Sequence, residues 1–308
     1  MHLSNDRRAS RPGRQPTIAP MADDDPSLTA AVRGARALLL DLDGVILLAG
    51  APIPGSPEAI ATLERCAIPY RIVTNTSAIS RTAMARWAAK IGAPVPAERF
   101  QSALSASAAW TRRTFPGSPL YVLASDDAKT EFDGQRLLSH EEAGRSDATA
   151  AAVIIGDSPE EASFDNLNRA FRLVKRGARL VGMHRNPWWL TQDGPTLDSG
   201  AYVAGLEFAA ETRATILGKP SSTFFSMAVA DLRRTVGRDL RRDEIVMIGD
   251  DVRTDIRAAQ RAGLRAVFVE SGKHGPADVE AASRERGGRR PDAVAPNLAA
   301  VVAAFVSD

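Results

Sequence analysis

Two groups of carboxylates stand out in the sequence because each follows a short apolar run. Asp41 and Asp43 come directly after four apolar residues, and Asp250 and Asp251 end a second run, with Asp255 a few residues further on. One carboxylate of such a pair can attack an electrophile or hold a metal ion while its neighbour moves a proton. Asp and Gly are also common where a strand enters a turn, so a plain structural junction is the alternative for either stretch alone.

Thr74, Asn75 and Lys219 lie at comparable positions, beside the ends of predicted strands. A solvated loop lysine is the ordinary interpretation of Lys219 alone. If these segments belong to one parallel sheet, their polar groups meet at the edge formed by the carboxyl ends of the strands. Several carboxylates gathered there need a cation, and hard oxygen ligands favour Mg²⁺. The hydroxyl, amide and ammonium groups would hold an anion, so the sequence indicates a phosphate bound against Mg²⁺ beside a nucleophile.

The elements that must position these groups can be read from the order of the segments. Short apolar runs alternate with helical patterns from about residue 36 onwards, which is typical of a parallel α/β sheet. Between about residues 100 and 205 the alternation continues, but only Gly156-Asp157 ends a predicted strand in a charged group. A turn followed by a helix cap is the favoured explanation of that pair. The positions that could do chemistry therefore lie in the segments on either side.

The composition narrows the class of protein. The 308 residues carry a formal net charge of +2, but residues 1–20 contribute +3 from four Arg and Asp6, which leaves −1 for the remainder. A folded part with this charge is not a basic nucleic-acid binder. No apolar run reaches the roughly 20 residues of a membrane helix, and the N-terminus lacks the apolar segment of an export signal. We therefore expect a cytoplasmic protein without nucleic-acid or membrane partners, in which residues 1–34 form a disordered tail.

A turn-rich stretch from residue 186 to residue 195 contains the adjacent residues Trp188 and Trp189. Paired aromatic side chains on an exposed loop would form a binding edge, whereas the same side chains would close a small core if they were buried. The sequence leaves both interpretations open.

Four ordered motifs in the chain resemble those of the haloacid dehalogenase superfamily. They are Asp-Leu-Asp-Gly-Val from residue 41, Thr-Asn-Thr-Ser from residue 74, Gly-Lys-Pro from residue 218, and Gly-Asp-Asp from residue 249 with Asp255 after it. The long insertion between the second and third motifs resembles that of the nitrophenylphosphatase-like subfamily IIA, and the flanking residues look most similar to the phospholysine, phosphohistidine and inorganic pyrophosphate phosphatase branch. The resemblance implies a Rossmann-like parallel-sheet core of residues 35–99 and 206–308, with an inserted α/β cap of residues 100–205.

The resemblance also implies a role for each residue singled out above. Asp41 would attack phosphorus and form an aspartyl-phosphate, and Asp43 would protonate the leaving group and later deprotonate water. Mg²⁺ would be held by Asp41, the backbone carbonyl of Asp43 and Asp250. The remaining implied roles are phosphate binding by Thr74, Asn75 and Lys219, and orientation of a ligand or of Lys219 by Asp255 and Asp251.

The implied function is a Mg²⁺-dependent phosphatase acting on a small phosphorylated substrate, either a phosphate monoester or a pyrophosphate or phosphoamide. The cap loop of residues 188–199 would face the site and select the leaving group, and caps of this type often form homodimers, so a homodimer through the cap is a candidate. A catalytically idle member of the fold that serves as a binding or scaffold protein is the alternative. The intact set of four motifs argues against that alternative.

Overall fold

A computed structural model of the protein describes residues 26–191, 194–285 and 287–307. These residues form two parallel β-sheets flanked by helices, together with two short hairpins. The strands are β1 Ala37–Leu40, β2 Leu47–Leu48, β3 Ala51–Pro52, β4 Tyr70–Thr74, β5 Phe100–Ser102, β6 Leu120–Leu123, β7 Ala152–Ile155, β8 Arg179–Gly182, β9 Trp188–Thr191, β10 Gly194–Leu197, β11 Thr215–Ile216, β12 Ile245–Gly249, β13 Arg265–Val269 and β14 Ala293–Ala295. The helices are α1 Pro26–Val32, α2 Ser56–Arg65, α3 Arg81–Lys90, α4 Ala103–Thr114, α5 Asp126–Lys129, α6 His140–Gly144, α7 Phe164–Lys175, α8 Ser199–Ala210, α9 Ser222–Val236, α10 Arg257–Arg261, α11 Pro276–Arg284 and α12 Leu298–Val306.

The larger sheet, which we call the core sheet, has the strand order β14-β13-β12-β1-β4-β5, and each neighbouring pair is parallel. Its central strand β1 consists of apolar residues that are all fully buried. A strand that is apolar at every position must be covered on both faces. Leu38 and Leu40 accordingly pack in the hydrophobic core on one face of the sheet, and Leu39 packs in the core on the other face.

The smaller sheet has the parallel order β11-β8-β7-β6, and we call it, with its helices, the cap. Side chains of α7 and α8 form a hydrophobic core with one face of this sheet, and side chains of α4 pack on the other face. The apolar strands β6 and β7 are fully buried for the same reason as β1. The two sheets confirm the predicted fold class, a parallel-sheet α/β core with an inserted α/β cap.

The prediction of a disordered tail for residues 1–34 is wrong for the last part of that segment. Helix α1 packs against α12 and β14, with Leu28, Ala31 and Val32 buried in the hydrophobic core. Their spacing of three and four residues places them on one face of the helix. Because the segment of residues 1–34 is polar overall, the prediction from its composition missed this short apolar face. Residues 1–25 lie outside the described part of the chain.

The predicted boundaries of the cap also differ from those in the structure. Strand β5 pairs with β4 at the edge of the core sheet, although the prediction begins the cap at residue 100. At the other boundary, α8 packs on α7, and β11 pairs with β8 in the cap sheet, so the chain leaves the cap after residue 216 instead of at residue 206. Strands of two or three residues are too short to show an alternating pattern in the sequence.

Two antiparallel hairpins extend from the sheets. Strands β2 and β3 form the first, shortly after the carboxylates that follow β1. Strands β9 and β10 form the second, within the stretch predicted as a turn-rich loop. The second hairpin belongs to the cap and enters α8 directly.

Candidate active site

The carboxyl ends of β1 and β12 bring the two predicted groups of carboxylates together. The strands are neighbours in the core sheet, and the backbone N–H of Asp41 donates to the carbonyl of Ile248 at 2.9 Å. Gly44 has a φ of +79°, and a Cβ atom there would lie 2.3 Å from Asp250 Oδ2. Because only glycine combines this backbone conformation with the absence of a side chain, residue 44 lets the chain lie directly against Asp250.

Lys219 lies between two carboxylates of the site. Its Nζ is 2.7 Å from Asp41 Oδ1 and 2.7 Å from Asp255 Oδ1, and its side chain is 3% exposed. Burial alone would lower the pKa of Lys219, but the ion pairs with Asp255 and Asp41 outweigh burial and raise it. The side chain is therefore an ammonium ion at physiological pH, and the interpretation as a solvated loop lysine is wrong.

Asp255 supports Lys219 from a single π-helical turn formed by Val252–Ile256. The side chain of Asp255 is fully buried, and its Oδ2 accepts a hydrogen bond from the backbone N–H of Asp251 at 3.3 Å. Burial, followed by the negative charge of Asp41, raises the pKa of Asp255, and the ammonium group of Lys219 opposes this rise. Burial and the neighbouring negative charge both disfavour ionisation of this carboxyl group. Each cation brought close to it therefore stabilises the carboxylate.

The cluster of acidic side chains fits a divalent cation. Asp41, Asp250 and Asp255 each place a carboxylate oxygen within 4.8 Å of the others. Asp43 lies close enough for Lys219 and Asp250 to influence its pKa. One buried ammonium does not balance these carboxylates, and hard oxygen donors match Mg²⁺. Lys219 contacts both Asp41 Oδ1 and Asp255 Oδ1 at 2.7 Å, so the ammonium group does not by itself decide which of these carboxylates would contact the ion.

Asp41 and Asp43 differ in how freely they can move protons. Asp41 is 7% exposed, and its Oδ1 accepts a hydrogen bond from the backbone N–H of Leu42 at 2.7 Å. Asp43 is an exposed residue, but the protein atoms packed around its carboxyl group partly desolvate it and so raise its pKa. A carboxyl group with a raised pKa and access to water is suited to general acid and base chemistry, whereas Asp41 is held in one orientation.

The carboxyl end of β4 supplies hydroxyl groups. Thr74 is 1% exposed, and its Oγ1 accepts a hydrogen bond from the backbone N–H of Thr76 at 3.1 Å. The Oγ1 atoms of Thr74 and Thr76 are 2.9 Å apart. Since their mutual hydrogen bond uses one of the two hydroxyl hydrogens, the other can be donated to an anion.

Asn75 is predicted to bind a phosphoryl oxygen, but its side chain is already paired with the backbone of Lys219. Asn75 Oδ1 accepts from the N–H of Lys219 at 2.7 Å, and Nδ2 donates to the Lys219 carbonyl at 3.1 Å. Gly218 permits this approach, because a Cβ atom there would lie 2.6 Å from Asn75 Oδ1. The side chain of Asn75 therefore fixes the loop that carries the lysine, and one N–H of its amide remains for an anion.

The loop that follows β13 completes the site and was not predicted from the sequence. The backbone N–H of Lys273 donates to Asp250 Oδ2 at 2.8 Å, and Ser271 Oγ donates to the carbonyl of Gly44 at 2.7 Å. A Cβ atom at Gly272 would lie 2.1 Å from Asp250 Oδ2. The polar sequence Glu-Ser-Gly-Lys directly after an apolar run was the available signal, of the same kind that identified the other strand ends.

The aromatic loop of the cap is the hairpin β9–β10. The side chain of Trp188 is 57% exposed on β9, and Leu197 is 62% exposed on β10. For Trp188 the structure favours an exposed edge over a small closed core. The side chain of Trp189 lies outside the described part of the structure.

The fold and the site define a capped α/β protein whose parallel core sheet presents an acidic, lysine-containing site at the carboxyl ends of its strands. Two family profiles match the chain: haloacid dehalogenase-like hydrolase over residues 38–137, and HAD-hydrolase-like over residues 216–301. Haloacid dehalogenase-like hydrolase domain-containing protein 2 of Bos taurus is 34% identical over 248 residues, which cover 80% of this chain and 89% of the relative. The chain belongs to the haloacid dehalogenase-like hydrolase family, which confirms the predicted resemblance.

Two further comparisons extend this likeness. Phospholysine phosphohistidine inorganic pyrophosphate phosphatase of Xenopus laevis is 31% identical over 258 residues, which cover 82% of this chain and 89% of that protein. Among solved structures, p-nitrophenyl phosphatase from Archaeoglobus fulgidus has a TM-score of 0.77 at 22% identity, with 88% of this chain and 99% of that chain covered. At this coverage the shared fold includes the cap as well as the core.

Proposed function

We propose that the protein is a Mg²⁺-dependent phosphatase that hydrolyses a small phosphorylated substrate through an aspartyl-phosphate on Asp41. The observation that carries the proposal is the buried pair of Asp41 and Lys219 with the carboxylate of Asp250 beside it. A phosphate group is repelled by a carboxylate nucleophile unless cations reduce the repulsion between them. Lys219 is one such cation, and the acidic cluster provides the place for a second.

In the first step Asp41 attacks phosphorus, and the new bond from its carboxylate oxygen forms as the bond to the leaving group breaks. The contacts of Asp41 with Lys219 and with the N–H of Leu42, both at 2.7 Å, hold the carboxylate in one orientation for this attack. Asp43 gives its proton to the departing oxygen or nitrogen. The raised pKa of Asp43 favours the protonated form that this step requires.

In the second step Asp43, now a carboxylate, accepts a proton from a water molecule. The water oxygen attacks phosphorus, the bond to Asp41 breaks, and inorganic phosphate is released. Asp41 returns as a carboxylate and Asp43 as a carboxylic acid, so both residues are ready for another turnover. The solvent access of Asp43 allows the same residue to serve as acid and then as base.

The metal ion would be held by Asp41, Asp250 and the backbone carbonyl of Asp43. When bound, Mg²⁺ supplies positive charge that balances the phosphate and the carboxylates. Asp250 is oriented for this role because its Oδ2 accepts the N–H of Lys273, which leaves Oδ1 for the ion. Asp255 instead holds Lys219 in position.

Phosphate oxygens would be bound beside the ammonium group of Lys219. The further donors are one hydroxyl of the pair formed by Thr74 and Thr76, and the remaining amide N–H of Asn75. This set holds an anion with neutral donors on one side and a cation on the other.

The names of the relatives support the substrate class. One is named for phospholysine, phosphohistidine and inorganic pyrophosphate, and a protein of the same fold is named for p-nitrophenyl phosphate. We propose that this chain acts on a phosphate monoester, a pyrophosphate or a phosphoamide of small size. The exposed edge around Trp188 would contact the leaving group.

The test is phosphate release from p-nitrophenyl phosphate, pyrophosphate, phosphohistidine, sugar phosphates and nucleotides, with Mg²⁺ and with EDTA. We expect release that requires Mg²⁺ and is abolished by EDTA. Release that EDTA leaves unchanged would contradict the metal dependence. No release from any compound by folded protein with bound metal would favour the binding or scaffold function.

Two finer features are also proposals. An apolar groove of about 370 Å³ lies between α7 and α8, and Phe164 and Phe208 on these helices are 79% and 88% exposed. Their exposure supports a homodimer through the cap, which light scattering of wild-type protein and of Phe208→Asp would test.

No helix within the described residues has the length and apolarity to cross a bilayer. The cytoplasmic location remains a prediction that cell fractionation would test.

A further inference from the structure

A buried polar cluster joins the cap to the second motif of the core. At its centre is His184, which follows β8 and is 2% exposed. His184 Nε2 lies 3.1 Å from Ser77 Oγ in the core and 3.2 Å from Ser199 Oγ at the start of α8. His184 Nδ1 accepts a hydrogen bond from the backbone N–H of Asn186 at 3.3 Å. A single imidazole ring thus contacts three separate segments of the chain.

The hydrogen bonds identify the protonation state of this ring. Because Nδ1 accepts from a backbone N–H, the ring hydrogen is on Nε2, where it is donated between Ser77 and Ser199. Burial lowers the pKa of His184 to about 4, although the charge of Asp157 opposes this shift. The carboxylate of Asp198, 3.5 Å from Nε2, also faces the ring. His184 is therefore neutral at physiological pH and connects segments through hydrogen bonds without carrying a charge.

The first pair of segments is the two ends of the hairpin β9–β10. Asn186 lies just before the hairpin and Ser199 lies just after it, so His184 contacts both ends. The N–H of Gly200 also donates to the carbonyl of Asn186 at 3.1 Å. These bonds fix the base of the hairpin, where Trp188 pairs with Leu197 and has an exposed side chain.

The third segment is the turn that follows β4, where phosphate would bind. Ser77 is 1% exposed, and its Oγ accepts the backbone N–H of Asp157 at 2.9 Å in addition to the contact with the imidazole. The carbonyl of Met183, directly before the histidine, accepts the N–H of Gly218 at 2.6 Å. The end of β8 therefore contacts both core loops that would bind phosphate, the turn of residues 74–77 and the loop of residues 218–219.

We propose that His184 is a positioning residue that couples the hairpin strands β9 and β10 to the phosphate-binding turn of residues 74–77. The inference rests on the proposed function, because it assigns the hairpin to the leaving group and the turn to the phosphate. A substrate that spans both elements binds best when their separation is fixed before binding. Removal of the imidazole leaves the buried hydroxyls of Ser77 and Ser199, and the N–H of Asn186, without this partner.

The experiment compares wild type with His184→Ala, His184→Gln and a control at a more exposed cap histidine, His140→Ala. His140 is also a cap histidine with two ring contacts, to Tyr121 Oη at 2.9 Å and to Glu161 Oε2 at 3.2 Å, and both partners lie in the cap. The readouts are kcat and KM for p-nitrophenyl phosphate and for pyrophosphate, and hydrogen–deuterium exchange of the backbone. Pyrophosphate serves as the substrate whose leaving group is too small and polar to use the aromatic edge.

We expect His184→Ala to raise KM for p-nitrophenyl phosphate by about tenfold, with kcat changed less than about threefold and a smaller rise of KM for pyrophosphate. Exchange should increase in two separate segments, residues 74–81 and 186–200. The amide of glutamine can donate and accept as the imidazole does, so His184→Gln should recover most of both effects. His140→Ala should leave both segments and both KM values unchanged.

The coupling is refuted if His184→Ala leaves KM and the exchange of residues 74–81 at their wild-type values. It is also refuted if exchange rises over the entire cap to the same degree in His184→Ala and His140→Ala, since that pattern shows a general loss of stability. If wild type releases no phosphate, the proposed function fails, but the exchange measurement still decides whether the two segments are coupled. Should His184→Ala fail to fold, Ser77→Ala provides the test, because it keeps the ring and removes its partner in the core, together with the acceptor of the Asp157 N–H. An unchanged exchange of residues 186–200 in Ser77→Ala would then refute the coupling.

Discussion

The core sheet and the cap sheet share an architecture but differ in the groups that follow their strands. Both are parallel, and residues after the cap strands β7 and β8 contact the core through Ser77. In the core the buried groups at this edge are charged, with Asp41 and Asp255 paired to Lys219. In the cap the central group is His184, which is neutral and joined to neighbours by hydrogen bonds.

The charged edge of the core sheet is suited to the chemical step, whereas the neutral edge of the cap sheet is suited to positioning. Charges that are close together inside a protein interact by several kcal/mol or more, so the core edge depends on its cations and responds strongly to loss of one charge. A neutral hydrogen bond contributes about 1 kcal/mol net, so the cap edge can fix distances without disturbing the charges of the site. Substitutions in the core should therefore change turnover by orders of magnitude, and substitutions in the cap should change binding or stability by smaller amounts.

The largest effect is expected for Asp41→Asn. An amide cannot form the aspartyl-phosphate, so kcat should fall by about 10⁴-fold or more. The measurement is steady-state phosphate release at saturating Mg²⁺. Asp147→Asn, an exposed carboxylate of the cap, is the control that should keep wild-type turnover. Substantial activity of Asp41→Asn would show that another group attacks phosphorus.

Asp43→Asn should lower kcat by about 10²–10⁴-fold, the usual contribution of general acid and base catalysis. The loss should be larger for alkyl phosphates than for p-nitrophenyl phosphate, because a good leaving group departs with little help from an acid. The test is a series of phosphate esters with graded leaving groups. An equal loss across the series would assign Asp43 to the metal or the fold and not to proton transfer.

Gly272→Ala should weaken metal binding while the fold persists. The added Cβ atom would lie 2.1 Å from Asp250 Oδ2 and 2.3 Å from Asp250 Cβ, so both the carboxylate and the backbone of the loop must shift from their present positions. Displacement of a ligand of this kind costs about 10–100-fold in metal affinity, measured by calorimetric titration with Mg²⁺. Gly275→Ala is the matched control in the same loop, because nothing lies within 4 Å of its Cβ position. If both variants bound Mg²⁺ with wild-type affinity, the loop after β13 would not contribute to the metal site.

The smallest effect on turnover is expected for His184→Gln, which should instead alter the dependence of stability on acid. Burial lowers the pKa of His184 from 6.5 to about 4, so the folded protein binds this proton less readily than the unfolded chain does. The neutral ring makes its full contribution to the free energy of unfolding above pH 6.5. This contribution declines as the pH falls from 6.5 to 4 and changes no further below that range. The decline is at most about 3 kcal/mol.

The measurement is the free energy of unfolding by urea at pH 7 and at pH 4.5. Wild type should lose more stability between these values than His184→Gln does, since glutamine does not titrate. Asp157 and Asp198 face the ring and have raised pKa values, so they oppose this decline in both proteins. The difference between the two proteins isolates the histidine. Equal losses would show that His184 is not a buried neutral group.

The charged residues of the site could be predicted from the sequence, because the carboxyl ends of parallel strands meet at one edge of the sheet. Asp41 and Asp250 each follow a run of apolar residues, and parallel neighbours carry their ends to one edge. The loop after β13 ends a strand in the same manner, but its contribution comes largely from the absence of a side chain at Gly272 and from a backbone N–H. Backbone groups and missing side chains leave little signal in the order of residue types.

Local patterns along the chain determined the α/β class, the alternation of strands and helices, and the family motifs. Tertiary structure decided which groups became partners, because those contacts join segments far apart in sequence. Asn75 binds the backbone of Lys219, 144 positions away, so its side chain holds a loop that the sequence left unconnected to it. The contact of Ser77 with His184 spans 107 positions. Histidine titrates near neutral pH in water, but burial lowers the pKa of His184, so the ring is neutral where it connects these segments.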